Sequence, residues 1–136
     1  MPDVITLAKE SIKKHEGFRR FAYQCTADKT TVGYGRNLDD RGVTEQEAMY
    51  LLENDIVECI QDLATFPYWN RLTPRQQAAL IDLRFCLGHD GYRQFRRMDA
   101  ALNAGKYGDA ALEIERSKFA EQTGKRAEHL ADMLAA

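Results

Sequence analysis

The chain has 136 residues, 44% of them apolar and 29% charged, the size and balance of one globular domain that buries its own core. Nineteen basic against 21 acidic residues leave a net charge of −2, which argues against a dedicated nucleic-acid binder. No apolar stretch is long enough to span a membrane, and three scattered cysteines, Cys25, Cys59 and Cys86, without a CxxC pair argue against a zinc site or a disulfide framework.

Met1-Pro2-Asp3-Val4 lacks the charged region and apolar run of a secretory signal. The expectation is a protein made and kept in a cytoplasm until something releases it. Asp3 is placed to cap a first helix in which Ile5, Ala8 and Ile12 share a face. Gly17, just after Glu16, is its natural stop. Phe18 to Tyr23 and Thr30 to Tyr34 are rich in aromatic and β-branched residues. With Ala27-Asp28-Lys29 between them, they predict a short hairpin. Gly33, Gly35 and Gly42, with Asn37, Asp39 and Asp40, predict a turn-rich loop.

Thr44 and Glu47 form a capping box that opens a second helix running to about Thr65. Ala48, Leu51, Leu52, Asp55, Cys59 and Leu63 fall along one stripe of it. Thr73-Pro74-Arg75-Gln76 is a second capping box, with proline at the first helical position. Ala78, Leu80, Ile81, Phe85 and Leu87 make the helix that follows apolar over much of its surface, which suits the centre of a core. Gly88 is expected to end it. Shorter helices are predicted from Phe95 to Asn103, from Tyr107 to about Lys118, and from Lys125 onward. One small β-region in a mostly helical chain is an α+β pattern.

Glu16 is a candidate for chemistry. It lies at the C-terminal end of a helix, where the macrodipole disfavours a negative charge and favours the protonated acid. Glycoside hydrolysis needs such a protonated carboxyl beside the leaving oxygen, and a second group on the opposite side of the sugar. The hairpin after Glu16 would set Cys25 and Thr31 across from it.

The segment His15-Glu16-Gly17-Phe18 through Tyr23, Cys25 and Thr31-Val32-Gly33-Tyr34-Gly35 resembles the active-site signature of the phage-type lysozymes, the endolysins typified by the lysozyme of the T-even bacteriophages. That pattern is a Glu, eight residues, an Asp or Cys, five residues, then a Thr, and Glu16, Cys25 and Thr31 match it without a gap. Ala78 to Gly88 resembles the family's buried central helix. Ser117-Lys118-Phe119 to Arg126 resembles its C-terminal segment.

The resemblance implies a mostly helical, two-lobed α+β lysozyme-like fold with a small β-hairpin lobe and a long linking helix. The small lobe would span about 17–43 and the linking helix about 44–65. The helical lobe would join 1–16 to 70–136. It also implies Glu16 as general acid and Thr31 holding the attacking water or the sugar. Cys25 stands where the type member has aspartate. It is left as base, nucleophile or spectator, with inversion and retention both open. Arg126 would orient Glu16, and Tyr34 and Gly35 would help hold substrate. Arg36 replaces a histidine and would alter an ion pair of the small lobe.

The implied activity is cleavage of the β-1,4 link between N-acetylmuramic acid and N-acetylglucosamine in peptidoglycan, for lysis of a bacterial host. The partners are the glycan strand and a holin-type membrane permeabiliser, with no nucleic acid. The protein would be a monomer acting on the cell wall after release. No cofactor or metal is expected, since no HExxH, phosphate loop or EF-hand pattern is present. Two other readings compete with this one. The first is a lysozyme-like protein that binds peptidoglycan without cleaving it. The second is a cysteine hydrolase pairing Cys25 with His15, His89 or His129, although no local protease signature surrounds Cys25.

Overall fold

The computed structural model describes residues 3–136, so the reading of the N-terminus at Met1 and Pro2 lies outside the described residues. The chain is mostly helical with one small antiparallel sheet, the expected α+β fold. It divides into two compact units, residues 1–49 and 50–136.

The first unit opens with α1 (Val4–Glu16). Asp3 caps it, its carboxylate accepting the Thr6 N–H at 2.8 Å. Lys13, Lys14 and His15 fill the last turn, where positive charge suits the macrodipole. Gly17 ends the helix at φ 70°, donating its N–H to Lys13 C=O. None of α1's residues is buried, and the Ile5 and Ile12 side chains of its apolar face stay exposed.

β1 (Arg19–Gln24) and β2 (Thr30–Gly33) form the expected hairpin. Its register pairs Tyr23 with Thr31 and Gln24 with Thr30, and slips at an irregularity between Arg19 and Tyr23. At the tip, Cys25 N–H donates to Lys29 C=O and Asp28 N–H to Cys25 C=O. Asp28 takes the left-handed φ of 60°, which Asp tolerates better than most residues.

The stretch predicted as a loop contains two further elements. β3 (Arg36–Asn37) adds a third strand beside β2, and α2 (Leu38–Arg41) makes one helical turn capped by Asn37. Both are too short to show a period. They are held from outside, where Asp39 accepts the Thr30 N–H at 2.8 Å and Arg36 forks onto Glu47 and reaches Gly42 C=O. Glu47 also closes the expected capping box with Thr44. The Arg36 hydrogen bonds are the main reason its carboxyl is held down at about pKa 2. Arg36 thus makes an ion pair with Glu47 in this unit.

α3 (Glu45–Leu63) begins in the first unit and continues into the second. The predicted stripe is buried only at its far end, at Cys59 and Leu63. In the second unit, α4 (Pro74–Arg93) starts at the Thr73–Gln76 capping box. Gly88 is non-helical, at φ 76° and ψ 176°, so the first helical stretch of α4 ends there as expected, and a second stretch runs on to Arg93. α5 (Arg96–Asn103), α6 (Tyr107–Glu115), α7 (Lys118–Thr123) and α8 (Lys125–Ala135) follow. α6 is therefore shorter than expected. α7 is a separate turn of helix that Ser117 caps by accepting the Ala120 N–H.

The core of this unit gathers Leu63, Leu80, Leu83, Met98, Leu102, Ile114, Leu130 and Leu134, all fully buried. Leu80 is central as expected, whereas Phe85 is 45% exposed. Tyr68 and Tyr92 satisfy each other through a 2.8 Å hydroxyl contact inside it. Burial pushes the Tyr68 phenol up to about 12.

Asp62 on α3 ties α4 down through Arg84 and Arg93. These guanidinium bonds, that of Arg93 foremost, hold its carboxyl at about 2, below its ordinary 3.8. A depressed carboxyl stabilises the folded state above its unfolded pKa, and the contribution disappears as pH falls through the folded value. Asp62→Asn is therefore expected to cost about 2 kcal/mol at neutral pH. The difference in melting temperature from the wild type, on the order of 5 °C, should hold down to about pH 4 and shrink as pH falls toward 2. Thermal melts of both proteins across that range check this. A gap independent of pH would assign the loss to packing instead.

Candidate active site

Glu16, Cys25, Thr31, Tyr34 and Gly35 of the sequence-selected residues all belong to the first unit, and Gly35 lies directly against Glu16. The position of Glu16 follows from α1, because it is the last helical residue before the Gly17 turn. A Cβ on Gly35 would stand 3.0 Å from both Cδ and Oε2 of Glu16. A side chain there would make the carboxyl give by a few tenths of an ångström, and the φ of 77° at Gly35 independently favours glycine. The turn between β2 and β3 thus lies against the Glu16 carboxyl.

Thr31 is in the middle strand, paired on one side with Tyr23 and on the other with Asn37. It is 3% exposed. Its hydroxyl donates to Lys29 C=O at 2.9 Å, so the proton is committed and the oxygen lone pairs remain to accept a hydrogen. Cys25 is at the end of β1, half-buried, at the mouth of the hairpin turn. The backbone N–H groups of Lys29 and then Ala27 lower its thiol pKa from the ordinary value, which favours the thiolate. Burial pushes the thiols of Cys59 and Cys86 the other way. Tyr34 is 47% exposed. Its ring packs at 5.6 Å on Phe18, with the Lys13 ammonium 5.4 Å from its centroid.

Arg126 belongs to the second unit. Its guanidinium engages Asp82 of α4 through Nε at 2.9 Å and through Nη2. This ion pair borders an apolar groove of about 420 Å³ lined by Leu52, Ile56, Ala78, Ile81 and Phe85. Sequence reasoning missed Asp82. Its partner is 44 positions away, and within its own helix it reads as one more polar residue between Ile81 and Leu83.

The family model described as phage lysozyme matches residues 13–132. The chain belongs to the phage lysozyme family. It is also 33% identical over 119 residues to an endolysin of Acyrthosiphon pisum secondary endosymbiont phage 1, across 85% of this chain and 80% of that endolysin. The matched span of this chain contains Glu16, Cys25, Thr31, Tyr34, Gly35 and Arg126. Among the described residues no group of three His, Cys, Asp or Glu is arranged to hold a metal, and no helix is long and apolar enough to cross a membrane.

Proposed function

We propose that this phage lysozyme is an endolysin-type muramidase, hydrolysing the β-1,4 bond between N-acetylmuramic acid and N-acetylglucosamine in bacterial peptidoglycan. The observation that carries the reading is the close seat of the Glu16 carboxyl on Gly35, in the unit that also holds Cys25 and Thr31. In this reading Glu16 gives its proton to the glycosidic oxygen as the bond to C1 breaks. Thr31, with its own proton on Lys29 C=O, accepts a hydrogen from the attacking water and aims its oxygen. Cys25 as thiolate either takes the other proton of that water, which gives inversion, or attacks C1 itself, which gives a thioglycosyl intermediate and retention. Tyr34 steadies the sugar. Arg126 keeps the orienting role that the resemblance assigns to it.

The lobes of this reading are about 17–43 for the small lobe, about 44–65 for the linking helix, and 1–16 with 70–136 for the helical lobe. The protein works as a monomer on the cell wall after a holin-type permeabiliser opens the way. The test is to follow purified peptidoglycan for new reducing sugars and for new free amino groups. Reducing sugars without amino groups are expected. Amino groups alone would move the activity to the peptide. Wall binding with neither product would make the chain a binding protein on a lysozyme fold.

A further inference from the structure

Between Val32 and Arg36, the last pair of the β2–β3 ladder, the chain turns through Gly33, Tyr34 and Gly35. Both glycines take positive φ, 69° and 77°, so the backbone of the turn has conformational freedom that must be restrained from elsewhere. Tyr34 carries the only side chain of the three. Its ring is gripped from two sides. The Phe18 ring packs on it with centroids 5.6 Å apart and planes tilted by 48°, within the range that aromatic pairs prefer. The Lys13 ammonium stands 5.4 Å from its centroid, within reach of a cation–π contact. Lys13 and Phe18 flank Glu16 in the chain. Lys13 is one turn of α1 before it and shares its side of the helix. Phe18 follows it directly after the Gly17 stop. Gly35, the residue after Tyr34, is the one that lies against the Glu16 carboxyl. Tyr34 is 47% exposed and Phe18 64%, so burial alone holds this turn weakly. The two ring contacts are what join it to the end of α1.

We propose that Lys13 and Phe18 are positioning residues, clamping the Tyr34 ring and so holding Gly35 against the Glu16 carboxyl. This rests on the reading above, in which Glu16 is the general acid. Two readouts on each variant test it. One is the nuclear Overhauser effect between the Glu16 γ-protons and the Gly35 α-protons. The other is kcat and KM for sugar release. Lys13→Gln is expected to weaken the Overhauser effect and to lower kcat about two- to fivefold, the equilibrium worth of an exposed cation–π contact, with KM nearly unchanged. Lys13→Arg keeps a cation over the ring and recovers most of the loss. Phe18→Ala loses as much or more. Lys14→Gln is the matched control, since Lys14 shares the last turn of α1 and its dipole. Among the described residues its ammonium lies over no ring, and both readouts should stay at the wild-type level. In the Tyr34→Ala background, removing Lys13 costs nothing more, because its effect passes through the ring. Unchanged readouts in Lys13→Gln and Phe18→Ala overturn the inference, as does an equal loss in Lys14→Gln. A Lys13→Gln loss that persists in Tyr34→Ala also overturns it, since Lys13 would then act on Glu16 by charge alone. An Overhauser effect that responds as expected, while no variant and not even the wild type releases sugar, leaves the clamp standing and removes the general-acid reading alone.

Discussion

Glu16→Gln is expected to lose at least about a hundredfold in sugar release, the order of effect of removing a general acid, while still binding the cell wall. The two side chains have the same shape, so the seat on Gly35 accepts either. What the amide lacks is the transferable proton. The loss should therefore fall on kcat, with KM and thermal stability close to those of the wild type. Glu16 is exposed at the end of a helix none of whose residues is buried, so the change has no packing cost to confuse the result. Sedimentation with purified walls and reducing-sugar kinetics on the same preparations separate binding from cleavage. A Glu16→Gln protein that cleaves at the wild-type rate would remove Glu16 from the reaction.

Gly35→Ala is expected to lower kcat several-fold, up to about tenfold, because the Glu16 carboxyl has to give by a few tenths of an ångström and small misplacements of a reacting group are costly. The added methyl would stand 3.0 Å from the Glu16 carboxyl, so either the carboxyl or the loop has to move. Backbone strain arises as well, since φ is 77° and a left-handed conformation costs a non-glycine residue about 1–2 kcal/mol. Gly33→Ala separates the two effects. Gly33 carries nearly the same φ, 69°, yet a Cβ there meets nothing within 4 Å. Both variants should melt lower than the wild type by similar amounts, and only Gly35→Ala should be slow. Equal kcat values for the two would reduce Gly35 to a turn glycine.

Much of this arrangement was legible in the sequence because it is encoded locally. The caps at Asp3, Thr44 with Glu47, and Thr73 with Gln76 are made as read. A cap depends on residues three apart and on little else. The hairpin was legible for the same reason. The elements missed are short ones, of six residues at most, and two of them depend on partners elsewhere in the chain. β3 has two residues and pairs with β2, α2 is one turn held by Asn37 and joined through Asp39 to Thr30, and α7 is a short helix set off by Ser117 and Gly124. Gly88 stops a helical stretch at positive φ, as glycine normally does, and what was not read is the second stretch that follows it to Arg93. The site shows the same division. The spacing of Glu16, Cys25 and Thr31 stands in the sequence. The contact of Gly35 with Glu16, the backbone amides around the Cys25 thiol, and the grip of Asp82 on Arg126 do not.

The central claim is that this chain hydrolyses the glycan strand on the muramic acid side, and the identity of the new chain end tests it most directly. Peptidoglycan digested in heavy-oxygen water, then reduced with borohydride and analysed by mass spectrometry, should yield muramitol ends that carry one heavy oxygen. Glucosaminitol ends, anhydro ends without the label, or released peptides with intact glycan would each contradict it.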